Sequence, residues 1–412
     1  MRISKVSIPK APNSSFPNSV FEAVGVTIIV MLPLAALAIA NDQWLYTPIG
    51  SVDSWMYVAY GMHWTDPSFA DWYYKAARLP WILVNVIFQR FLGTTLATPA
   101  IQLACFAALA GFNFALVRRL FGDYVAVIAA MMAVIWTQNH GPVGGEGADY
   151  HNALCGPLFT ASVYLTVRLV QERKHPIWVA GPGALYAALI YTNPLYLNLT
   201  PTYIVLGLVA ARERNNSSAT QLNYVLLSLS CAIIGALLTT VVLGLLNLAV
   251  GRQFLFFLSQ LQYLSATLAG GGAHGWWRPW ETWAENALYL PPLVVLSVVS
   301  AIEIARLLYL SRRSKRQEWA VALHGLYLFY FAVCVIGQNA GQTLLQPRYM
   351  AYPIWEMWIL AVVAVIGVRL PSRSLKRLSY AEIASLASLS VGGALWLIFG
   401  SALLGRLPWT KM

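Results

Sequence analysis

Charged residues are scarce in this sequence of 412 residues. Lys, Arg, Asp and Glu together make up only 10% of the chain, whereas hydrophobic residues make up 58%. About a quarter of the residues in a typical soluble domain are charged, so the composition excludes an ordinary soluble protein. The mean hydropathy of +0.60 agrees with this. Apolar runs of about the 20 residues that a helix needs to cross a bilayer recur along the whole chain, which predicts one membrane domain over residues 1–412.

Cysteine is rare as well, and its placement excludes two kinds of site. The four cysteines all fall inside apolar runs, and they share no spacing typical of metal ligands. We therefore expect neither a disulfide nor a zinc site, and we interpret the cysteines as small core residues. They are Cys105, Cys155, Cys231 and Cys334.

The apolar runs predict an all-α polytopic fold with about eleven membrane-spanning helices. Two of the runs, 178–192 and 195–211, are short and would also suit a re-entrant pair. Residues 79–93 are apolar too, but Pro80 and Arg90 limit their length, which favours a helix in the membrane interface. The predicted spans are 21–40, 96–117, 122–138, 152–170, 178–192, 195–211, 223–249, 288–310, 319–337, 351–368 and 382–404.

The net charge of +11 raises the question of a nucleic-acid partner. If the N-terminus lies in the cytoplasm, 19 of the 27 Lys and Arg residues fall on the inner side, as the positive-inside rule expects. The basic balance therefore reports topology, and no nucleic acid is needed to explain it. In this orientation the three large outer loops are 41–95, 139–151 and 250–287, and the first of them contains the interfacial helices.

The first outer loop contains the stretch SVDSWMYVAYG at 51–61, in which Asp53 lies among Trp55, Tyr57 and Tyr60. Tryptophan and tyrosine at the water boundary commonly anchor a protein in the membrane. A carboxylate at the same depth is costly to desolvate, which favours a role as a base or a ligand. A solvated loop acid is the alternative for Asp53.

The second outer loop leads into the fourth span with GGEGADYHNALCGP at 144–157. Glu146, Asp149 and His151 could cap that helix, because its N-terminus favours negative charge. The same groups could bind a divalent cation, Mg or Mn, together with Asp53, since both metals prefer oxygen ligands. Both interpretations stay open.

Two outer arginines are further candidates. Arg278 lies among tryptophans in LAGGGAHGWWRPWETW at 268–283, and Arg348 lies in QPRYMAYP at 346–353. Each arginine could anchor the chain at the lipid headgroups. Each could equally bind a phosphate, because a guanidinium offers a planar fork of donors.

Four features occur in an order typical of one enzyme class. After Asp53 come ARLPWILVNVIFQRFLG at 77–93, LVRRLFGDYVAVIAAMMAVIW at 116–136, the acids Glu146 or Asp149 before the fourth span, and a late Arg348-Tyr349 followed by Pro353. With these features the chain resembles the GT-C class of membrane glycosyltransferases, especially the bacterial branch of protein mannosyltransferases and lipid A sugar transferases. It departs from the class where Ser54 follows Asp53 in place of a second acid, and where Thr192-Asn193-Pro194 replaces a Thr-Lys-Pro turn.

The resemblance implies transfer of a sugar from a polyprenyl-phosphate donor to an acceptor hydroxyl, at the outer face of the plasma (inner) membrane. It implies that Asp53 is the general base of an inverting displacement, with Asp149 as a second catalytic residue. The partners would be the bilayer, the lipid donor and a glycan, lipid or protein acceptor. A divalent cation would be held by Asp53, Glu146, Asp149 or His151. The substrate contacts implied are Arg348, Tyr349, Arg78, Lys75, Trp55, Tyr57, Glu146, His151 and Arg278.

Two other functions fit a polytopic chain of this kind. A lipid-linked sugar transporter or flippase would show inverted repeats and ionisable groups near mid-membrane, but no repeat is apparent and only Glu303 and Glu356 lie in or at the edge of a span. A polysaccharide polymerase or ligase would concentrate its chemistry in one late outer loop, whereas the acids here lie in early loops.

Overall fold

The computed structural model describes residues 27–33, 35, 52–66, 68, 74–144, 152–172, 174–212, 218–269, 290–310, 314–339, 353–370 and 379–395. All regular structure in these ranges is helical, as expected for an all-α chain. Three short 3-10 helices cover Tyr74–Ala77, Pro176–Val179 and Pro194–Leu199. The α-helices are α1 (27–33), α2 (Val52–Met62), α3 (Leu79–Phe121), α4 (Asp123–Gly144), α5 (Asn152–Gln171), α6 (Ala180–Thr192), α7 (Thr200–Arg212), α8 (Ser218–Ala249), α9 (Leu258–Ala269), α10 (Leu290–Tyr309), α11 (Lys315–Asn339), α12 (Pro353–Arg369) and α13 (Tyr380–Leu395).

Five of the described helices are long and apolar enough to cross a membrane, which indicates a membrane protein. Two more, Asp123–Ile135 and Ala381–Leu395, are apolar but shorter over the described residues. The short predicted spans 178–192 and 195–211 appear as α6 and α7, each preceded by a 3-10 helix. The five long segments are Leu79–Phe121, Asn152–Gln171, Asn223–Ala249, Pro292–Tyr309 and Lys315–Val335.

Helix α3 joins the predicted interfacial helix to the predicted second span. It begins at Leu79, with Pro80 in the first turn, where a missing N–H costs nothing. At Gly93 the backbone turns to φ 72° and ψ 165°, which glycine adopts readily and other residues do not. The sequence therefore placed the break correctly, but helical structure resumes directly after Gly93 without an intervening loop.

The core of the bundle is a cluster of buried side chains shared by several helices. Phe121 on α3, Phe159 on α5, Tyr327 on α11 and Leu360 on α12 all belong to it and are almost fully buried. Helix α12 packs against α3, α4, α10 and α11. Helix α12 is therefore held in place by the helices that surround it.

Helix α8 is attached to this bundle by a glycine seam on one face. A Cβ atom added to Gly183 on α6 would overlap the backbone of Ala232 on α8, and one added to Gly235 on α8 would overlap the backbone of Ala180. Small residues at both positions let the two backbones touch, as in many membrane helix pairs. The remaining surface of α8 exposes side chains such as Leu237 and Val242, as suits a helix facing lipid.

Candidate functional site

The first outer loop places its predicted acid at the start of a helix. Asp53 lies in the first turn of α2, where a negative charge is favoured by the helix dipole. The side chain of Asp53 lies outside the described part of the structure. Of its aromatic neighbours, Trp55 is 42% exposed, whereas Tyr57 and Tyr60 are 0% exposed. Only Trp55 of these three presents a ring to solvent.

A buried arginine contacts Tyr57 from the start of α3. Arg78 donates from Nη1 to the Tyr57 hydroxyl at 2.7 Å, and its Cζ lies 5.8 Å from the centroid of the Tyr57 ring. Tyr57 was expected to contact the substrate, but its fully buried ring offers no free face on which a sugar could stack. Tyr57 instead orients the guanidinium of Arg78.

A second predicted cation lies one short turn away from Arg78. Lys75 belongs to the 3-10 helix Tyr74–Ala77 and is only 1% exposed. The backbone N–H of Arg78 donates to the carbonyl of Lys75 at 3.1 Å, so the two residues are part of one tight turn. An ammonium and a guanidinium on one turn can both donate hydrogen bonds to the same anion, which makes this turn suited to an anion.

A third buried cation, Arg252, was missed by the sequence analysis. It follows α8 directly after Gly251, whose φ of 80° turns the chain, and it is 3% exposed. Its Nη2 donates to the carbonyls of Asp66 at 2.9 Å and His63 at 3.4 Å, and its Cζ lies 5.3 Å from the Trp64 ring centroid. Nε and Nη1 of Arg252 find no hydrogen-bond acceptor in the described part of the chain. Its place in a predicted outer loop, against the positive-inside trend, is the one sequence signal that could have singled it out.

Apolar packing links the segments that carry these three cations. Ala77 and Leu79 form a buried cluster with Phe256, and Trp64 packs against the same cluster. Helix α9 also contacts the 3-10 helix that carries Lys75. The end of α8 and the segment after it therefore cover the turn between Lys75 and Arg78.

Another acid of the first outer loop, Asp66, is poorly suited to proton transfer. The Ser68 hydroxyl and backbone N–H donate to its carboxylate at 2.6 and 3.0 Å. These two bonds hold the pKa of Asp66 below its usual value. Because a general base works best with a pKa near the operating pH, Asp66 stays ionised and accepts protons weakly.

The turn that departs from the GT-C pattern is part of the helix packing. Asn193, which follows α6, donates from Nδ2 to Oδ1 of Asn152 at 2.9 Å, and both side chains are buried. This bond ties the end of α6 to the first turn of α5. An amide here contributes a neutral contact between helices where the class pattern has a lysine.

The remaining predicted site residues lie outside the part of the chain that the structure describes. Among the described residues no group of three His, Cys, Asp or Glu side chains could hold a metal ion. The residues concerned are Glu146, Asp149, His151, Arg278, Arg348 and Tyr349.

Comparison with known proteins adds no family to this geometry. No protein-family model matches the chain, and a search of curated proteins finds no significant match.

Proposed function

We propose that the chain is a membrane glycosyltransferase that moves a sugar from a polyprenyl-phosphate donor to an acceptor hydroxyl at the outer face of the plasma membrane. The observation that carries the proposal is the assembly of three buried cations, Lys75, Arg78 and Arg252, beside the helix that bears Asp53. A buried group of cations at the water boundary is suited to the phosphate of a lipid.

The reaction requires charge to be stabilised on the leaving group. As the acceptor oxygen attacks the anomeric carbon, the bond from that carbon to the phosphate oxygen breaks, and its electron pair stays on the phosphate. Lys75 and Arg78 would stabilise the growing negative charge. The aromatic and apolar surroundings exclude water and strengthen this interaction.

The acceptor hydroxyl must lose its proton during the attack, and Asp53 is proposed as the base that takes it. Position 53 precedes position 57 by one helical turn, and Tyr57 is the residue that orients Arg78. The base and the phosphate-binding group would thus be held by the same short helix. Direct displacement inverts the configuration at the anomeric carbon.

The decisive experiment measures sugar transfer by purified protein supplied with polyprenyl-phosphate sugars and candidate acceptors. Asp53→Asn removes basicity with little change in volume, so turnover should fall by about 10²- to 10⁴-fold while the donor KM changes little. Asp66→Asn, an exposed acid of the same loop, is the matched control and should keep the parental rate. Parental turnover in Asp53→Asn would remove Asp53 from the mechanism.

Two companion variants define the other proposed roles. Asp149→Asn tests the second catalytic residue, and added Mg²⁺ or Mn²⁺ should partly rescue a variant that has lost a metal ligand. Arg78→Lys keeps the charge but loses the fork, so the donor KM should rise about tenfold. Tyr57→Phe should raise it less, because the guanidinium remains and only its orienting contact is lost.

A lipid-linked sugar transporter is the second candidate, favoured by one observation. Glu303 and Glu356 are both buried within apolar helices, where ionisable groups often serve transport. If vesicles that contain the protein move the lipid-linked sugar across their membrane and form no transfer product, this candidate would be favoured. A polysaccharide polymerase or ligase would instead be recognised by an acceptor that is itself a lipid-linked glycan.

A further inference from the structure

Glu356 is a buried acid that the proposed reaction does not use. It is the fourth residue of α12 and is 6% exposed. Thirteen residues, or about 20 Å of helix, separate it from Arg369 at the basic end of α12. The carboxyl therefore lies inside the bundle, away from the nearest charged residue of its own helix.

The surroundings of Glu356 leave room for a carboxyl group. A Cβ atom added to Gly156 on α5 would lie 3.3 Å from Oε1 of Glu356 and 3.0 Å from the side chain of Leu109 on α3. Glycine at position 156 therefore provides the space that the carboxyl occupies. The side chain of Asn113, one turn beyond Leu109, is a hydrogen-bonding neighbour of the Glu356 carboxyl.

One acceptor atom on each of these two neighbouring side chains has no donor among the described residues. Oε2 of Glu356 and Oδ1 of Asn113 are buried and make no hydrogen bond. Nδ2 of Asn113 donates to the carbonyl of Leu109 at 3.1 Å, which sets the orientation of the amide. Two acceptors cannot satisfy each other, but a proton on Oε2 turns that oxygen into a donor for Oδ1.

Within the described ranges, no basic side chain forms an ion pair with the Glu356 carboxyl. The described uncharged titratable groups in this half of the neighbouring helices are Cys105, Cys155, Tyr196, Tyr330 and Cys334, and the charged groups are Arg78, whose charge acts on the Cys155 thiol, and Arg90. The other charged and basic groups of the same helices lie towards the basic end and include Arg118, Asp123, Glu303, Arg306, His324 and Arg369. An isolated carboxylate is costly in such a place, whereas a neutral acid that donates a hydrogen bond is not.

We propose that Glu356 is a proton-binding site whose proton is shared with Oδ1 of Asn113. This bond connects α12 to α3, and Gly156 brings α5 against it. The outer ends of α5 and α12 adjoin the segments that contain Asp149 and Arg348, so one proton helps to fix the two helices that lead to predicted site residues. The proposal is independent of sugar transfer.

Infrared spectroscopy of the purified protein in lipid nanodiscs at neutral pH tests the protonation directly. The wild type should show the C=O stretch of a protonated carboxylic acid, and Glu356→Gln should lack it. Glu318→Gln, which replaces a partly exposed glutamate, is the matched control and should keep the band. Absence of the band from the wild type, or its persistence in Glu356→Gln, would overturn the proposal.

The partner is tested by Asn113→Ala, which removes the acceptor but leaves the acid. The band should move to higher frequency, because the acid loses its hydrogen bond. This variant also keeps the test open if Glu356→Gln fails to fold. An unmoved band would show that Asn113 does not accept the proton.

Unfolding at several pH values gives an independent measurement. Since an unfolded glutamate releases its proton well below neutral pH, unfolding near pH 7 would release one proton from the wild type and none from Glu356→Gln. The unfolding equilibrium constant of the wild type should therefore rise about tenfold per pH unit relative to that variant. Parallel pH profiles for the two proteins would contradict a proton held in the folded state.

Discussion

The arginines at the two ends of the helices are held by different partners. At the basic ends, carboxylates neutralise them: Arg118 pairs with Asp123 at 2.7 Å, and Glu303 binds both Arg306 and Arg369. At the opposite ends, Arg252 binds two backbone carbonyls and lies over an indole. Arg78 there donates to a phenol hydroxyl.

The partners of the arginines determine how strongly each end can attract a further anion. A guanidinium paired with a carboxylate has its charge largely cancelled at a distance, so it attracts a further anion weakly. A guanidinium held by carbonyl oxygens and a ring keeps its full positive charge. Among the described residues Arg252 forms no ion pair with a carboxylate, which makes its end of the bundle the better place for a phosphate.

The largest effect expected is an all-or-none labelling pattern that assigns the two ends to the two sides of the membrane. A cysteine at position 66 should react in intact cells with a thiol reagent that cannot cross the membrane, whereas a cysteine at position 314 should not. Both positions are exposed, and the four native cysteines are buried. Position 314 should react once the cells are permeabilised. The reverse pattern would show that position 66 faces the cytoplasm, which would contradict an active site on the outer face.

The next effect concerns the acid that holds two arginines at the basic end. Glu303→Gln leaves Arg306 and Arg369 without their carboxylate, which costs about 3–5 kcal/mol for fully buried partners. Because both arginine side chains are about half exposed, we expect a loss of only about 2–3 kcal/mol in the free energy of unfolding. Denaturation in detergent measures it. Glu318→Gln is the control, with a loss below about 1 kcal/mol, and equal losses would show that the ion pairs contribute little.

A smaller effect is expected at the opposite end. Arg252→Lys keeps the charge but cannot reach both carbonyls while lying over Trp64, so the free energy of unfolding should fall by about 1–2 kcal/mol. Arg212→Lys, at an exposed helix end, should change it by less than about 0.5 kcal/mol. Equal stability of the two variants would show that the contacts of Arg252 with residues 63–66 do not stabilise the fold.

The smallest effect is a pH dependence at the basic end. Partial burial raises the pKa of Glu172, but the hydrogen bond from Arg168 and the charge of Arg119 outweigh it, so the pKa lies below its usual value of 4.5. A lowered pKa stabilises the fold above the unfolded value, and this stability is lost as the pH falls through the folded value. As the pH is lowered, the free energy of unfolding of Glu172→Gln should therefore fall less than that of the wild type. The difference should stay below about 1 kcal/mol because the pair is partly exposed. Identical acid profiles would contradict the pairing.

Helix positions follow from the sequence because the apolar length of a segment is a local property. The predicted spans 152–170 and 288–310 correspond to Asn152–Gln171 and Leu290–Tyr309. Helix α2 was not predicted as a helix, since Trp55, Tyr57 and Tyr60 are as common at membrane boundaries as in helices. Its start at Val52 places Asp53 in a helical turn, where the sequence alone suggested a loop.

The contacts of the candidate site could not be predicted in the same way. Arg252 binds carbonyls of residues that precede it by 186 and 189 positions, and backbone carbonyls carry no residue-specific signal. Glu356 likewise meets Asn113 on a distant helix. Lys75 and Arg78 were predicted as substrate contacts, but their burial depends on α8 and α9, which pack over the turn that carries them.

The glycine seam between α6 and α8 limits how far the end of α8 near Arg252 can shift. Gly235 touches α6, and α8 continues for 14 residues, about 21 Å, to Ala249, shortly before Arg252. A tilt of α8 by about 10° around the seam would move its far end by about 4 Å, more than the length of a hydrogen bond. The hydrogen bonds from Arg252 to the carbonyls of His63 and Asp66 would then break. Gly183 and Gly235 thus act as a pivot, distant from Arg252 along α8, that keeps its guanidinium aligned with these two carbonyls.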